Sequence, residues 1–440
     1  MYSCWPTVYR DPSIGNYRAA FVADLIRNTL KFLWYEVNAV MNITDVGHLV
    51  SDSDEGEDKL EKWAKREWIS AWDVAKKYEN VFIEGMKKLN IDTFDVMPRA
   101  TEHIKEQIDL IKTLEEKWYT YTVDWDGIYM DTSKVDDYGK LMWPNYKKRL
   151  EELNAGERID MKGKKNPTDF ALWKFSPIGE KRQMEWESPR WIGFPGWHIE
   201  CSAMSSKYLG EQFDIHHGWA DHITIHHPNE IAQSECAFCK KPWVKYRIHN
   251  EFLQVDWGKM WKSLGNAYTL EDIEKKWFSI LDLRYFYFMA QYGNFQNFTW
   301  DWLETAKNSR KSLIKKLAWK YVSVEKNQIE NYEFYKKIKE SICDNINTPK
   351  LFAEINSWLK ENVDWLYQVM SYLEDNFLKL NLFKREASVE IPTEISDLAD
   401  QRLQAKQDKN YALADELRNK ITDLWWNVKD SKDWYEIEKI

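Results

Sequence analysis

The chain has 440 residues, 44% of them hydrophobic and 30% charged, with a formal net charge of −9. That length suits about three domains of about 150 residues, enough to bury a core without staples, and five cysteines exclude a disulfide scaffold and point to a reducing cytoplasm. The charge excludes a broadly basic nucleic-acid coat, no apolar run reaches the length of a membrane span, and Met1-Tyr2-Ser3-Cys4 lacks the basic and apolar regions of a signal peptide.

Along the chain, Ser13-Ile14-Gly15-Asn16 precedes a segment in which Phe21, Leu25 and Ile26 recur at helical spacing. Val37 to Val46, rich in β-branched and apolar residues, reads as a buried strand, so the beginning is α/β. Ile104, Ile108, Ile111 and Leu114 mark an amphipathic helix, and a hairpin is expected from Tyr119 to Thr132 with Asp126-Gly127 near its turn. Residues from about 95 to 195 read as an insertion. Strand-like segments return at Phe213–His216 and Val244–Ile248. From about 301 the sequence is charged and helical in texture, as in Leu313–Tyr321 and Leu403–Leu424. The basic clusters Lys147-Lys148-Arg149, Lys162 with Lys164-Lys165, and Arg310-Lys311 with Lys315-Lys316 read as solvated faces.

Three features carry chemistry. Six of the nine histidines (His198, His216, His217, His222, His226 and His227) fall within 30 residues, beside Cys201, and His226 and Glu230 share a face if their segment is helical. Thiolate, imidazole and carboxylate are all zinc ligands, although spacing alone does not link Cys4 to Cys201. Gly15 precedes a helix, whose first N–H groups and dipole suit phosphate. Lys259-Met260-Trp261-Lys262-Ser263 offers two lysines in a loop, able to offset pyrophosphate charge. Cys236-Ala237-Phe238-Cys239 is half of a zinc-ribbon pattern and reads as a reduced structural pair, and Cys343 has no partner signal.

Together these segments resemble cysteinyl-tRNA synthetases over nearly the whole chain. Cys4-Trp5-Pro6-Thr7-Val8-Tyr9 is similar to that family's opening Cys-Gly-Pro-Thr-Val-Tyr. Ser13-Ile14-Gly15-Asn16 stands where class I synthetases carry His-Ile-Gly-His, and Asn42-Ile43-Thr44-Asp45 resembles the strand end that follows. Gly196 to Met204 and His226 to Gln233 are the most specific matches; Lys259 to Asn266 resembles the Lys-Met-Ser-Lys-Ser loop, and Gln401 to Asp430 the tRNA-binding tail.

The resemblance implies a Rossmann-like class I catalytic domain with an inserted connective region, then an all-α C-terminal helical tRNA-binding region. Its divisions would be 1–95 and 196–250 for the two catalytic halves, 96–195 for the insertion, 251–300 for the lysine-loop and stem-contact region, and 301–440 for anticodon binding. It implies one Zn²⁺ held by Cys4, Cys201, His226 and Glu230, L-cysteine contacts from Thr44, Trp197 and Asp221, and ATP (with Mg²⁺) at Ser13, Gly15, Asn16, Lys259 and Lys262. The last two would act in catalysis. The expected reaction is ATP-dependent formation of cysteinyl-adenylate and transfer to tRNA(Cys), by a cytoplasmic monomer with no membrane partner. The alternatives are a non-catalytic tRNA-binding paralogue and a ligase joining cysteine to an amino sugar.

Three departures stand out. There are 25 Trp and 16 Gly, against about 31 Gly at the usual share, and many tryptophans stand where the family has glycine: Trp5, Trp34, Trp118, Trp191, Trp219, Trp257, Trp277, Trp425 and Trp434, with Trp63, Trp68 and Trp143 as further candidates. Trp173, Trp186, Trp197, Trp243 and Trp300 fit as tryptophan. The expectation is a codon, UGA, written as tryptophan but read as glycine in the source; a tryptophan-rich surface for stacking bases or sugars is the rival. Ser13 replaces the signature's first histidine. The family's short strand before Met1 is also missing, from a misplaced start or a real loss.

Overall fold

The computed structural model describes residues 1–5, 7–47, 58–142, 163–177, 179, 181–259, 267–361, 363–384, 392–424, 426–430 and 435–439. Trp143, Lys147, Lys148, Arg149, Lys162, Trp425, Trp434 and the segment 260–266, with Lys262, lie outside the described residues.

The core is a parallel sheet in the order β2-β1-β7-β8, formed by β1 (Tyr2–Ser3), β2 (Val40–Met41), β7 (Phe213–Trp219) and β8 (Val244–Asn250). Tyr2 pairs with both Val40 and His216, so β1 lies inside the sheet. Isolated parallel bridges at Thr7–Thr44, Val40–Val96 and Ile43–Arg99 prolong this pairing. A parallel sheet needs both faces covered, and Tyr2, Ser3, Val40, Met41, His216 and His217 at its centre are all buried, polar ones included.

Helix α1 (Ile14–Phe32) is buried along most of its length. Ser13 is its N-cap: its Oγ accepts from the Asn16 N–H at 3.3 Å, and Asn16 Oδ1 accepts from the Ser13 N–H at 2.9 Å. This reciprocal cap satisfies donors that a helix start otherwise leaves open. After α2 (Lys59–Glu67) and α3 (Ala71–Lys88) come α4 (Ile104–Glu116) and an antiparallel sheet of β3 (Thr120–Val123), β4 (Gly127–Met130), β5 (Phe170–Phe175) and β6 (Gly193–Pro195), paired in that order. The predicted helix and hairpin are both present.

Helices α5 (Trp197–Leu209) and α6 (His226–Phe238) follow and pack on each other. A small mixed sheet follows, β10 (Gly258–Lys259), β9 (Leu253–Val255) and β11 (Gln296–Phe298), with α7 (Leu270–Lys275) and α8 (Ile280–Phe288) between its last two strands in sequence. The rest is mostly helical: α9 (Trp300–Leu317), α10 (Lys326–Ile329), α11 (Glu333–Cys343), α12 (Thr348–Trp358), α13 (Asp364–Leu373), α14 (Thr393–Gln407) and α15 (Tyr411–Asp423). Buried Arg284 of α8 joins the halves: it donates to Asp24 Oδ2 of α1 at 3.3 Å, Leu89 O at 2.9 Å and Leu378 O at 2.7 Å.

Two helical expectations need correction. Leu313–Tyr321 is helical only to Leu317, because Ala318 leaves helical backbone at ψ 133° and Trp319 follows at φ 67°. The C-terminal region is not all-α: it closes with a hairpin of β12 (Trp426–Asp430) and β13 (Tyr435–Lys439), whose Trp426 and Val428 pack on Ile395, Ala399 and Ile421 of α14 and α15.

Among the described residues, seven tryptophans hold left-handed backbone with φ between 59° and 73°: Trp34, Trp68, Trp118, Trp125, Trp257, Trp277 and Trp319. All seven are exposed. Trp34, Trp68, Trp118, Trp277 and Trp319 stand just past the ends of α1, α2, α4, α7 and α9, while Trp125 and Trp257 sit in the β3–β4 and β9–β10 turns. By contrast, Trp173 and Trp243 are wholly buried.

Candidate functional site

Cys4 leaves the C-terminal end of β1, where its N–H donates to His217 O at 3.0 Å. Cys201 projects from α5, and His226 and Glu230 lie one turn apart on α6. Cys4 Sγ lies 3.5 Å from Cys201 Sγ, 3.5 Å from His226 Nε2 and 3.4 Å from Glu230 Oε1. His226 Nε2 lies 3.0 Å from Glu230 Oε1. All four ligand atoms fall within 4.8 Å of one another, and all four residues are buried.

This donor set fits zinc. A tetrahedron with bonds of about 2.0–2.3 Å has edges of about 3.3–3.8 Å, close to the separations found. Two soft sulfurs with an imidazole and a carboxylate match the ion's preferences. Burial, with Cys201 and Glu230 nearby, pushes the Cys4 thiol well above its ordinary range. Against burial, His216, His226 and His227 hold the Glu230 carboxyl well below its ordinary range. Protons retained on buried ligands are those a divalent cation displaces.

The structure adds residues that the resemblance did not assign. His216 of β7 reaches Glu230 Oε2 at 2.7 Å, and His227 lies 4.0 Å from the same oxygen. Cys4, His216, His227 and Glu230 form a second candidate cluster that shares two ligands with the first. His198 Nδ1 meets His226 Nδ1 at 2.8 Å, which leaves Nε2 toward the cysteines. The density of histidines from 198 to 227 was the available signal; their roles depend on strand register and helix phase.

Trp197 begins α5 and stacks near His226, with ring centroids 4.4 Å apart. Thr44 is buried; its Oγ1 accepts from Asn42 Nδ2 at 2.8 Å and donates to Trp5 O at 3.3 Å. Asp221 is the exposed residue of a half-buried one-turn helix, Ala220–Ile223, that follows Trp219. Thus Trp197 adjoins the cluster, whereas Thr44 approaches it through Trp5, the residue after Cys4. Ser13, Gly15 and Asn16 form the first turn of α1, and Lys259 ends β10, opposite Gln254. Cys236 is buried near the end of α6, and Cys239 caps that helix with Lys117 Nζ 3.1 Å from its sulfur; both thiols are free.

Residues 1–308 match the family model described as tRNA synthetases class I (C) catalytic domain. A protein of Treponema denticola named cysteine–tRNA ligase is 42% identical, covering 98% of this chain and 93% of its own length. One of Burkholderia lata, named cysteine–tRNA ligase 1, is 40% identical over 98% and 91%. Among solved structures, Mycobacterium tuberculosis methionyl-tRNA synthetase with methionyl-adenylate aligns with a TM-score of 0.57 at 13% identity, covering 87% of this chain and 92% of that one. A Campylobacter jejuni arginyl-tRNA synthetase structure aligns with a TM-score of 0.54 at 12% identity over 87% and 93%. These two likenesses bear on the fold. Among the described residues, no helix is long and apolar enough to cross a membrane.

Proposed function

The chain belongs to the class I cysteine–tRNA ligases, and from that premise we propose that it activates L-cysteine with ATP and passes the cysteinyl group to tRNA(Cys), with zinc at Cys4, Cys201, His226 and Glu230. The observation that carries this reading is the meeting of two thiols, an imidazole and a carboxylate from three distant segments in one buried cluster. Zinc held there supplies an acid that bonds thiolate far better than hydroxyl, a distinction between cysteine and serine that shape alone makes poorly.

The protein's own groups do the rest by positioning and charge. The first turn of α1, with Ser13, Gly15 and Asn16, turns the positive end of the helix dipole toward ATP phosphates. Lys259 and Lys262 offset the charge that develops on pyrophosphate, accompanied by Mg²⁺. Trp197, Thr44 and Asp221 orient the amino acid. Residues 1–95 and 196–250 form the catalytic halves, 96–195 the insertion, 251–300 the lysine-loop region and 301–440 the tRNA-binding region of a cytoplasmic monomer. Ser13 in place of the signature's first histidine favours a non-catalytic paralogue; its role as an N-cap gives it a reason to be there that is independent of catalysis.

The same proposal includes the codon reading. Seven tryptophans in left-handed backbone, at helix ends and hairpin turns, occupy the places where glycine is the usual residue. In the native protein these positions are glycine. Trp125 and Trp319 join the set on their backbone geometry, and Trp63 stays outside it on that ground, lying within α2. A glycine mass at position 34 in a peptide spectrum of the native protein is the expected result, and tryptophan there would end the idea.

Cysteine-dependent ATP–pyrophosphate exchange tests the enzyme reading, on protein made with the disputed codons set to glycine and with serine as the control amino acid. Exchange with cysteine and not serine is expected. No exchange by folded, zinc-loaded protein would favour the non-catalytic paralogue.

A further inference from the structure

Arg18 lies one turn beyond the nucleotide end of α1 and is 2% exposed. Its guanidinium does not meet a carboxylate. Nε donates to Gln296 Oε1 at 3.1 Å, Nη2 to Asn294 O at 3.0 Å and Tyr292 O at 3.4 Å, and Nη1 to the backbone carbonyl of Glu251. Four uncharged acceptors therefore hold one buried cation. Burial pulls its pKa down to about 10, so it remains charged at neutral pH.

These acceptors bracket the small mixed sheet. Glu251 precedes β9, Gln296 begins β11, and Leu253 pairs with Gln296. Lys259 of β10 pairs with Gln254 of β9. Gln296 is itself fixed, donating from Nε2 to Phe286 O at 2.5 Å. On the first residue of the same helix, the Ile14 N–H donates to Tyr268 O at 2.8 Å, and Ile14 O accepts from Tyr287 Oη at 2.6 Å. One helix thus grips the chain on both sides of Lys259 through Arg18, at Glu251 and at Tyr292–Gln296, and again after it through Ile14.

We propose that Arg18 is a positioning residue for adenylate formation. It sets the distance and angle between the phosphate-facing first turn of α1 and the β9–β10 hairpin that carries Lys259. The inference rests on the functional reading above, in which Lys259 serves the pyrophosphate. Arginine is required because its rigid planar fork reaches several carbonyls at once; lysine keeps the charge and loses the fork.

The test uses the full-length, glycine-coded, zinc-loaded protein in cysteine-dependent ATP–pyrophosphate exchange, with variants Arg18→Lys, Gln296→Leu, Lys259→Ala and the double variant Arg18→Lys/Lys259→Ala. Arg18→Lys is expected to lower kcat about 10- to 100-fold while the cysteine KM and zinc content stay unchanged. Gln296→Leu is expected to act in the same direction more weakly, which covers the case in which Arg18→Lys does not fold. The double variant should be no slower than Lys259→Ala, because a support adds nothing once the supported group is gone. Additive losses, an unchanged kcat, or a rise in the cysteine KM matching the fall in kcat would overturn the inference alone. Full activity in Lys259→Ala would overturn the reading of Lys259, and the inference with it.

Discussion

Nδ1 of His198 lies 2.8 Å from Nδ1 of His226, and Nε2 of His226 faces Cys4 Sγ at 3.5 Å. One ring nitrogen is engaged outside the cluster so that the other is presented to it. Such outer contacts orient a ligand imidazole and select its tautomer. His198→Ala is expected to weaken zinc binding about 10- to 100-fold, measured by competition with a chromogenic chelator. Unaltered affinity would mean that the packing of α5 on α6 alone orients His226.

The left-handed tryptophans predict an unusual mutational pattern. In protein made with tryptophan, Trp34→Gly, Trp118→Gly and Trp277→Gly should each raise stability by about 1 kcal/mol, because an L residue in that conformation costs about 1–2 kcal/mol. Trp173→Gly and Trp243→Gly, both at wholly buried positions, should instead cost about 3–5 kcal/mol through cavity formation. Urea unfolding measures both. A loss of stability at position 34 would count against glycine there.

Ser13 and Asn16 cap α1 reciprocally. Ser13→Ala should cost about 1 kcal/mol of stability, and Ser13→Asp should retain most of it, both read from thermal midpoints. If Ser13→Ala left the midpoint unmoved but abolished exchange, the hydroxyl would be serving ATP rather than the helix.

Buried Glu374 gives a pH dependence with a defined sign. Burial raises its pKa from 4.5 to about 7, opposed by backbone N–H donors such as that of Leu382. An acid whose folded pKa is raised holds its proton longer when folded. Its contribution to stability is therefore complete below pH 4.5 and is lost as the pH rises through about 7. The difference is at most about 3 kcal/mol, from about 1.4 kcal/mol per pH unit. Glu374→Gln should match the parent at pH 5 and exceed it in stability at pH 8. Equal stabilities at both values would show that Glu374 is ionised in the folded protein throughout.

Local chemistry was readable wherever it depended on neighbours in sequence. The apolar spacing of Ile104, Ile108, Ile111 and Leu114 announced α4, the tract around Asp126-Gly127 announced the β3–β4 turn, and the four-residue interval of His226 and Glu230 became one face of α6. The C-terminal hairpin is hidden in the sequence because its strands are short and charged, and it docks through a few residues, Trp426, Val428 and Tyr435. Leu403–Leu424 likewise read as a continuous helical texture, yet Lys409 at φ 58° separates α14 from α15.

By itself, the sequence determined the family, the helix and strand periods, the ligand chemistry and the anomalous tryptophan count, because each is a matter of residue type and short spacing. Only the tertiary structure decided that Cys4 meets Cys201 across 197 positions, that His216 and His198 brace Glu230 and His226, and that Arg18 reaches four acceptors beyond position 250. Those relations follow from parallel pairing of β1 with β7 and from the packing of α1 against the small sheet. Contacts of that kind are set by how buried surfaces fit together, a property that no short stretch of residues carries.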